Sequence, residues 1–336
     1  MQELVTRGCI ALLPVVAFLG VLLYLDSYKI VRLRNVLLAT GVGAVAAGLS
    51  YFLNEALLAR LAIDFASYTR YVSPLLEETL KALVLVYLIR THRVGLLVDG
   101  AIVGFAVGTG FAVAENLYYL ASRADPTTAL WVVRGFGTAV MHGGAMAVFA
   151  VASVGFAESR PGLGYLAFVP GFGLAVLLHS AFNHLLLWPV FSTLAILAAL
   201  PALLYWVFGK SEQALREWLR ADFDSDVDLL AMIRSPDFQD TQVGRYLQSL
   251  RAKFPGEVMA DLICYIRLHA ELALRAKGLL MMREHGFEPE IDAETRASFE
   301  EMRYLEASVG RTGMRALQPV LQMSRKDLWQ FYMLDA

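Results

Sequence analysis

Cysteine is nearly absent from this 336-residue chain, and charged residues are scarce, at 18%. The two cysteines, Cys9 near the start of the chain and Cys264 in its last third, supply neither a disulfide framework nor a cysteine metal cluster. The sequence also lacks an HExxH motif, a nucleotide-binding glycine loop, an internal repeat and a low-complexity tract. These absences exclude a disulfide-stapled fold and the best-known helical zinc-protease signature.

Apolar residues are abundant and unevenly distributed. They form 57% of the chain, and the mean hydropathy is +0.53, which excludes a disordered, collagen-like or coiled-coil protein. Residues 1–208 contain 12 Lys/Arg and 10 Asp/Glu, whereas residues 209–336 contain 17 and 21. This acidic surplus, with no basic stripe, argues against a nucleic-acid partner. The sequence therefore predicts a transmembrane domain over 1–208 and a soluble helical domain over 209–336.

Several stretches of the first domain are long enough to cross a bilayer. A hydrocarbon core about 30 Å thick needs about 20 apolar residues per helix. The qualifying stretches are roughly 8–25, 34–53, 74–90, 97–121, 130–156, 163–185 and 189–208. We expect the first to be retained, because no small-residue cleavage site follows it. The predicted fold is all-α: a polytopic membrane bundle of about seven transmembrane helices followed by a C-terminal soluble helical domain.

Two further patterns concern the connections and the packing of these helices. Residues 54–73 mix polar and apolar residues, so we expect a loop with a short amphipathic helix there. Gly100, Gly104 and Gly108 form overlapping GxxxG steps on the fourth stretch, which predict close packing of neighbouring helices.

The positive-inside rule gives the orientation. With the N-terminus outside, the cytoplasmic segments contain nine basic residues: Lys29, Arg32, Arg34, Arg90, Arg93, Arg160, Lys210, Arg216 and Arg220. The outer segments contain four: Arg7, Arg60, Arg70 and Arg123. We therefore expect an integral protein of a bacterial plasma membrane whose C-terminal domain is cytosolic and has an unknown partner. His269 and His285 in that domain are expected on its surface.

Ionisable side chains inside a membrane helix are costly, and each is a functional hypothesis by default. The third stretch contains Glu77, Glu78 and Lys81. Lys81 lies four residues from one glutamate and three from the other, so it can pair with either. One carboxylate is then left without a full partner, which suits a general base. A purely structural ion pair is the alternative.

Three later stretches contribute further polar groups. Glu115 lies in the fourth, His142 in the fifth, and His179 with Asn183 in the sixth, where the two share a helix face. With about 1.5 Å of rise per residue, all of these groups fall in the outer half of the bilayer, within about 15 Å of one another in depth. We therefore expect the four helices to form a single polar site.

This set of motifs resembles that of the PrsW intramembrane proteases, within the wider group of CAAX prenyl endopeptidases. The resemblance covers residues 74–184 and consists of Glu77-Glu78-x-x-Lys81, Phe111-x-x-x-Glu115, the isolated His142 and His179-x-x-x-Asn183. It implies hydrolysis of a peptide bond in a membrane-anchored protein substrate. Lys81 and Glu115 favour the PrsW branch over the prenyl endopeptidases.

The chemistry of these residues suggests a role for each. Glu77 or Glu78, of which we favour Glu77, would deprotonate the attacking water, and the other glutamate would pair with Lys81. His179 and Asn183 would stabilise the oxyanion, and Glu115 and His142 would orient the water.

A metal is the main alternative for the site chemistry. Glu115, His142 and His179 form a two-histidine, one-carboxylate set that can bind Zn²⁺. The related prenyl endopeptidases act as metal-free glutamate enzymes, and we favour that chemistry here.

Two functions from other classes compete with proteolysis. Intramembrane carboxylates and histidines also mark the proton relays of ion-coupled transporters. No inverted-repeat pattern accompanies them here. A non-catalytic membrane scaffold would have no need of the glutamate pair Glu77 and Glu78.

Overall fold

The computed structural model describes residues 2–122, 127–184, 188–287, 289–321 and 325–335, and every regular element in these ranges is helical. The chain divides into two compact units, Met1–Ser211 and Glu212–Ala336. The predicted all-α class is confirmed. Arg123 and Leu185, which enter the predicted topology, lie outside the described residues.

The first unit is a bundle of long helices joined by short irregular turns. Its α helices are α1 (Gln2–Leu25), α2 (Leu33–Arg60), α3 (Phe65–Ser67), α4 (Ser73–Arg90), α5 (Leu97–Ser122), α6 (Thr128–Val132), α7 (Ala139–Ser159), α8 (Val169–Asn183) and the first part of α9 (Pro189–Arg234). Tyr68–Val72 and Val133–Thr138 are π-helical, and Pro161–Phe168 is a 3₁₀ segment.

Six helical segments of the described chain are long and apolar enough to span a membrane. They are Gln2–Leu25, Leu33–Arg60, Leu97–Ser122, Thr128–Ser159, Pro161–Asn183 and Pro189–Arg234. The protein is thus an integral membrane protein with a polytopic bundle. The remaining predicted span, 74–90, corresponds to α4, an 18-residue helix that contains Glu77, Glu78, Lys81 and Arg90. These charges are why α4 does not meet the same criterion.

The connection expected over 54–73 is more helical than predicted. α2 continues to Arg60, so Asn54 lies on a helix rather than in a loop. The short helix α3 and the π-helical segment Tyr68–Val72 then lead directly into α4. The chain from α3 to α4 is continuous, which fixes Tyr68 relative to α4, and hydrogen bonds to Tyr68 and Glu77 hold Asn54.

α5 forms the centre of the first unit, with every residue from Val98 to Ala112 buried. A Cβ atom added at Gly104 would lie 2.4 Å from the Met146 carbonyl oxygen, and one at Gly108 would lie 2.2 Å from that of His142. Glycine at these positions therefore lets α5 and α7 approach at backbone contact, as the GxxxG steps predicted. The close approach sets the position of His142 on α7.

The second unit contains the remainder of α9 and four further α helices: α10 (Gln242–Leu250), α11 (Gly256–Glu284), α12 (Ala293–Leu321) and α13 (Arg325–Asp335). Its core contains Leu262, Ile266, Leu280 and Leu317. A buried cation, Lys277 on α11, contacts Asp226 at 2.5 Å and thereby joins α11 to α9.

His269 was expected on the surface, and this expectation is wrong. The side chain is 5% exposed, and its ring centroid lies 4.7 Å from that of Phe331. The reason is that α11 is covered on most of its circumference, so a polar residue between apolar neighbours still points into the core. His285, one residue past the end of α11, is exposed as expected.

The burial of His269 makes the second unit sensitive to acid. Burial, with a smaller effect of the Lys277 ammonium, lowers the pKa of His269 to about 4 from its usual 6.5. The unfolded chain therefore binds this proton more readily. The resulting stability is fully present above pH 6.5 and is lost as the pH falls towards 4, by up to about 3 kcal/mol. We expect His269→Leu to reduce this loss, as measured by calorimetry of the full-length protein at pH 7.5 and 4.5.

His285→Leu is the matched control, because it removes an exposed histidine that directly follows the same helix, α11. Equal acid sensitivity of the wild type and His269→Leu would contradict the assignment.

Candidate active site

The site is built around a fully buried ion pair on α4. Glu78 and Lys81 lie three residues apart, and both side chains are 0% exposed. The Lys81 ammonium donates to Glu78 Oε1 and also lies 4.4 Å from the centre of the Phe111 ring. Because two charges are this costly to remove from water, each needs further partners.

Histidines from α7 and α8 supply these partners. His179 Nδ1 lies 2.7 Å from Glu78 Oε1, and His142 Nδ1 lies 3.0 Å from Lys81 Nζ. The two imidazole rings meet edge to face, with centroids 4.7 Å apart. Three helices thus meet in one hydrogen-bonded polar cluster, and both histidines are buried.

These contacts determine where the ring hydrogens lie. An ammonium group only donates, so the Lys81 contact makes His142 Nδ1 an acceptor and leaves the hydrogen on its Nε2. A carboxylate only accepts, so His179 carries a hydrogen on Nδ1, facing Glu78. In its neutral form His179 then has a lone pair at Nε2. The Glu78–Lys81 pair therefore orients both rings.

Glu77 is held at one oxygen and open at the other. Its Oε1 accepts from the Ser73 hydroxyl at 2.6 Å and from Asn54 Nδ2 at 3.2 Å. Its Oε2 faces His179 Nε2 at 3.9 Å. The side chain is 13% exposed, unlike the fully buried Glu78. Glu77 is thus the glutamate of the pair that a water molecule can reach.

Glu115 occupies the opposite side of His142. Its Oε2 lies 3.4 Å from His142 Nε2 and 3.3 Å from a terminal nitrogen of Arg134. Arg134 Nε donates to Asn116 Oδ1 at 2.9 Å, and Asn116 in turn donates to the Ala11 carbonyl at 2.9 Å. This chain of contacts fixes Arg134 beside the site.

One buried polar atom of the site, Glu78 Oε2, has no hydrogen-bond partner among the described residues. Glu115 Oε2 and Arg134 Nη2 make no hydrogen bond of good geometry there, but they contact each other at 3.3 Å as an ion pair. Buried polar atoms are normally satisfied, so each such atom calls for an explanation. An open acceptor at Glu78 is what a site that binds water or a polar substrate group would present.

Asn183 lies one turn after His179 on α8 and makes a different kind of contact. Its Nδ2 donates to the backbone carbonyl of Thr69 at 2.9 Å. One amide hydrogen is therefore used to attach α8 to the π-helical segment. The second amide hydrogen is not used in this contact.

The structure brings five of the six predicted catalytic residues into one contact network, together with Lys81. Sequence reasoning gave no role in the site to four residues that surround them: Asn54, Tyr68, Ser73 and Arg134. Ser73 could have been found from its spacing four residues before Glu77, which places both on one helix face. Arg134 could have been found as the one basic residue of its apolar stretch.

The residues fit a divalent metal in type and in spacing. Glu77, His142 and His179 each offer one ligand atom, and these atoms lie within 4.8 Å of one another. Two imidazoles and one carboxylate form a common catalytic zinc set. The set differs from the predicted one, because Glu77 takes the place of Glu115, which contacts the Arg134 guanidinium.

A polytopic helical bundle whose buried carboxylates and histidines converge between spans has the kind of polar site found in membrane-embedded enzymes and in ion-coupled transporters. A family model described as PrsW family intramembrane metalloprotease matches residues 32–208. The chain belongs to this family. Family membership favours a protease over the transporter and scaffold alternatives. No curated protein matches the chain, and no solved structure matches it.

The buried pair makes a testable contribution to stability. Lys81→Met leaves the Glu78 carboxylate buried without its cation, and we expect a loss of about 3–5 kcal/mol. The double variant Lys81→Met/Glu78→Gln removes both charges and should lose less. The measurement is thermal unfolding of the full-length protein in detergent micelles.

Lys210→Met, at an exposed lysine of the same unit, is the control and should change little. A Lys81→Met protein as stable as the wild type would show that the pair does not hold the site together.

Proposed function

We propose that the protein is an intramembrane endopeptidase that hydrolyses a peptide bond of a membrane-associated protein near the outer face. The observation that supports the proposal is that the two adjacent glutamates differ in their contacts and in their exposure. Glu78 is fully buried and its Oε1 contacts both the Lys81 ammonium and His179 Nδ1, whereas Glu77 is partly exposed and has its Oε2 beside His179. A general base must reach the proton that it abstracts, and of the two carboxylates the partly exposed Glu77 is the one that water can approach.

In the proposed mechanism Glu77 activates the water. Glu77 Oε2 accepts a proton from a water that also contacts His179, and the water oxygen forms a bond to the scissile carbonyl carbon. When the C–N bond breaks, Glu77 returns the proton to the departing amine, so the carboxylate is regenerated. The anchoring of Oε1 by Ser73 and Asn54 keeps Oε2 aimed at this water.

His179 and Asn183 are the proposed oxyanion donors. Carboxylate oxygens lie 2.7 Å from Nδ1 and 3.9 Å from Nε2 of His179. A ring with hydrogens on both nitrogens would therefore donate to Glu78 and to the oxyanion. The second amide hydrogen of Asn183 would add another donor. Removing one donor of this kind typically costs about 3 kcal/mol of transition-state stabilisation.

Glu115 and His142 complete the site on the other side. His142 Nε2 carries a hydrogen that faces Glu115, and Arg134 neutralises that carboxylate. We propose that Glu115 and His142 orient the water and the substrate carbonyl. The contact between Lys81 Nζ and His142 Nδ1 keeps the His142 ring from rotating.

Metal-dependent chemistry is the second candidate, favoured by the spacing of three ligand atoms and by the family description. Glu77, His142 and His179 would hold the ion, which would polarise the carbonyl and lower the pKa of a bound water. Against this, the Lys81 ammonium lies at His142 Nδ1 and a hydrogen occupies Nε2, so neither ring nitrogen is open to a metal in this arrangement. The Lys81 contact therefore favours the metal-free mechanism.

The proposed setting follows the positive-inside count. The N-terminus lies outside a bacterial plasma membrane and the C-terminal unit lies in the cytosol, where it is available to a cytosolic partner. The substrate is then a membrane-anchored protein cut on the outer side.

Glu77→Gln tests the base assignment. The amide cannot accept a proton, so we expect the cleavage rate to fall at least about 100-fold while the protein stays folded in the membrane. Quantitative proteomics of cells with wild-type or Glu77→Gln protein identifies the membrane protein that accumulates uncleaved. Cleavage of that protein in proteoliposomes gives the rate.

Glu55→Gln is the matched control, because Glu55 is an exposed glutamate on α2 and should retain activity. Unchanged cleavage by the double variant Glu77→Gln/Glu78→Gln would end the assignment of a glutamate base.

Metal removal separates the two mechanisms. We expect purified protein to keep its activity after treatment with a strong chelator, with less than one equivalent of zinc per chain by mass spectrometry. One zinc per chain, lost together with activity on chelation and restored with it, would overturn the metal-free mechanism in favour of the Glu77, His142 and His179 site.

A further inference from the structure

The π-helical segment Tyr68–Val72 contacts both halves of the site, although none of its residues belongs to the predicted catalytic set. It lies between α3 and α4 and makes hydrogen bonds towards α2 and α8. π-helical turns are rare and often occur at functional sites. The contacts of this segment indicate what it does here.

The segment is connected to Glu77 through the side-chain amide of Asn54. The Tyr68 hydroxyl donates to Asn54 Oδ1 at 2.7 Å, and Asn54 Nδ2 donates to Glu77 Oε1 at 3.2 Å. Tyr68 is 2% exposed, so this hydroxyl is not exchanging its partner with bulk water. The three groups form a relay from the segment to the proposed base.

These hydrogen bonds fix the orientation of the Asn54 amide, that is, which side its oxygen and its nitrogen face. Because Oδ1 accepts from Tyr68, the Nδ2 hydrogens must face the Glu77 carboxylate. Without the Tyr68 hydroxyl, the amide can rotate by half a turn and present Oδ1 to Glu77. That rotation replaces an attraction by a repulsion between two acceptors, and it would displace the carboxylate.

Towards His179, the segment is attached through its backbone. Asn183 Nδ2 donates to the Thr69 carbonyl at 2.9 Å, and the Ser180 hydroxyl donates to the Arg70 carbonyl at 2.6 Å. Both donors lie within one turn of His179 on α8. The same five-residue segment is thus tied to the helix that presents His179 and to the side chain that anchors Glu77.

We propose that Tyr68–Val72 is a positioning clamp that sets the 3.9 Å separation of Glu77 Oε2 and His179 Nε2, and that Tyr68 is a positioning residue acting through Asn54. This inference rests on the proposed function, because it concerns the geometry of the same base. It also gives Asn183 a second task, which is to hold the clamp against α8.

A double-mutant cycle in the full-length enzyme tests the relay. We expect Tyr68→Phe and Asn54→Ala each to lower kcat about 10-fold, as is typical for groups that orient a reacting residue, with KM unchanged because neither side chain faces the substrate in this arrangement. Combining them should give no further loss beyond Asn54→Ala alone, since Tyr68 acts only through that amide. The substrate is the protein identified by proteomics, assayed in proteoliposomes.

Tyr51→Phe is the matched control. It removes a hydroxyl from another tyrosine, on α2, whose partner is the exposed Tyr118 at 3.1 Å, and it should leave kcat unchanged. If Asn54→Ala does not fold, Asn54→Ser replaces it, because serine is too short to bridge Tyr68 and Glu77.

The outcomes separate this inference from the proposed function. A wild-type enzyme no faster than Glu77→Gln would overturn the proposed function and the clamp with it. A wild type that is faster than Glu77→Gln but equal to Tyr68→Phe would overturn the clamp alone. Losses of Tyr68→Phe and Asn54→Ala that multiply, or that occur in KM, would also overturn it, since they would show independent or substrate-contacting roles.

Discussion

The buried Glu78 carboxylate is the group on which the rest of the site depends. One of its oxygens accepts from the Lys81 ammonium and lies 2.7 Å from His179 Nδ1. In an apolar bundle such a charge is tolerated only when it is paired and hydrogen-bonded. The need to satisfy Glu78 therefore determines where α8 places His179, and through Lys81 where α7 places His142. Burying the Glu78 carboxylate is energetically costly, and the partners that it requires orient both imidazoles.

Close helix packing is what allows the constraint to be met. His142 can reach Lys81 because Gly108 lets the α7 backbone approach α5 at the level of His142 itself. A larger residue on α5 would move the histidine outwards by the width of a methyl group. The polar cluster therefore depends on the glycine face of α5. Because the two backbones lie so close there, short side chains are enough to make the contacts.

Much of the fold and part of the site could be predicted from the sequence. The spans follow from hydropathy, and the Glu78–Lys81 pairing and the convergence of His142 and His179 follow from the cost of isolated polar groups in lipid. Asn54 and Tyr68 could not be found this way, because their role depends on α2 continuing to Arg60 and on a π-helical turn that no periodicity announces. The burial of His269 was missed for a related reason: coverage of α11 from several sides is a tertiary property.

The same physical logic explains why two adjacent glutamates can do different work. Both belong to one helical turn, so sequence spacing alone cannot separate them. Their surroundings can: Glu78 faces a cation and a histidine with no exposure, whereas Glu77 faces two neutral donors at one oxygen and the accessible side at the other. Neutral donors hold a carboxylate in place without cancelling its charge, so it remains able to accept a proton. A cation in that position would have made Glu77 a second structural pair, and the site would have lost its base.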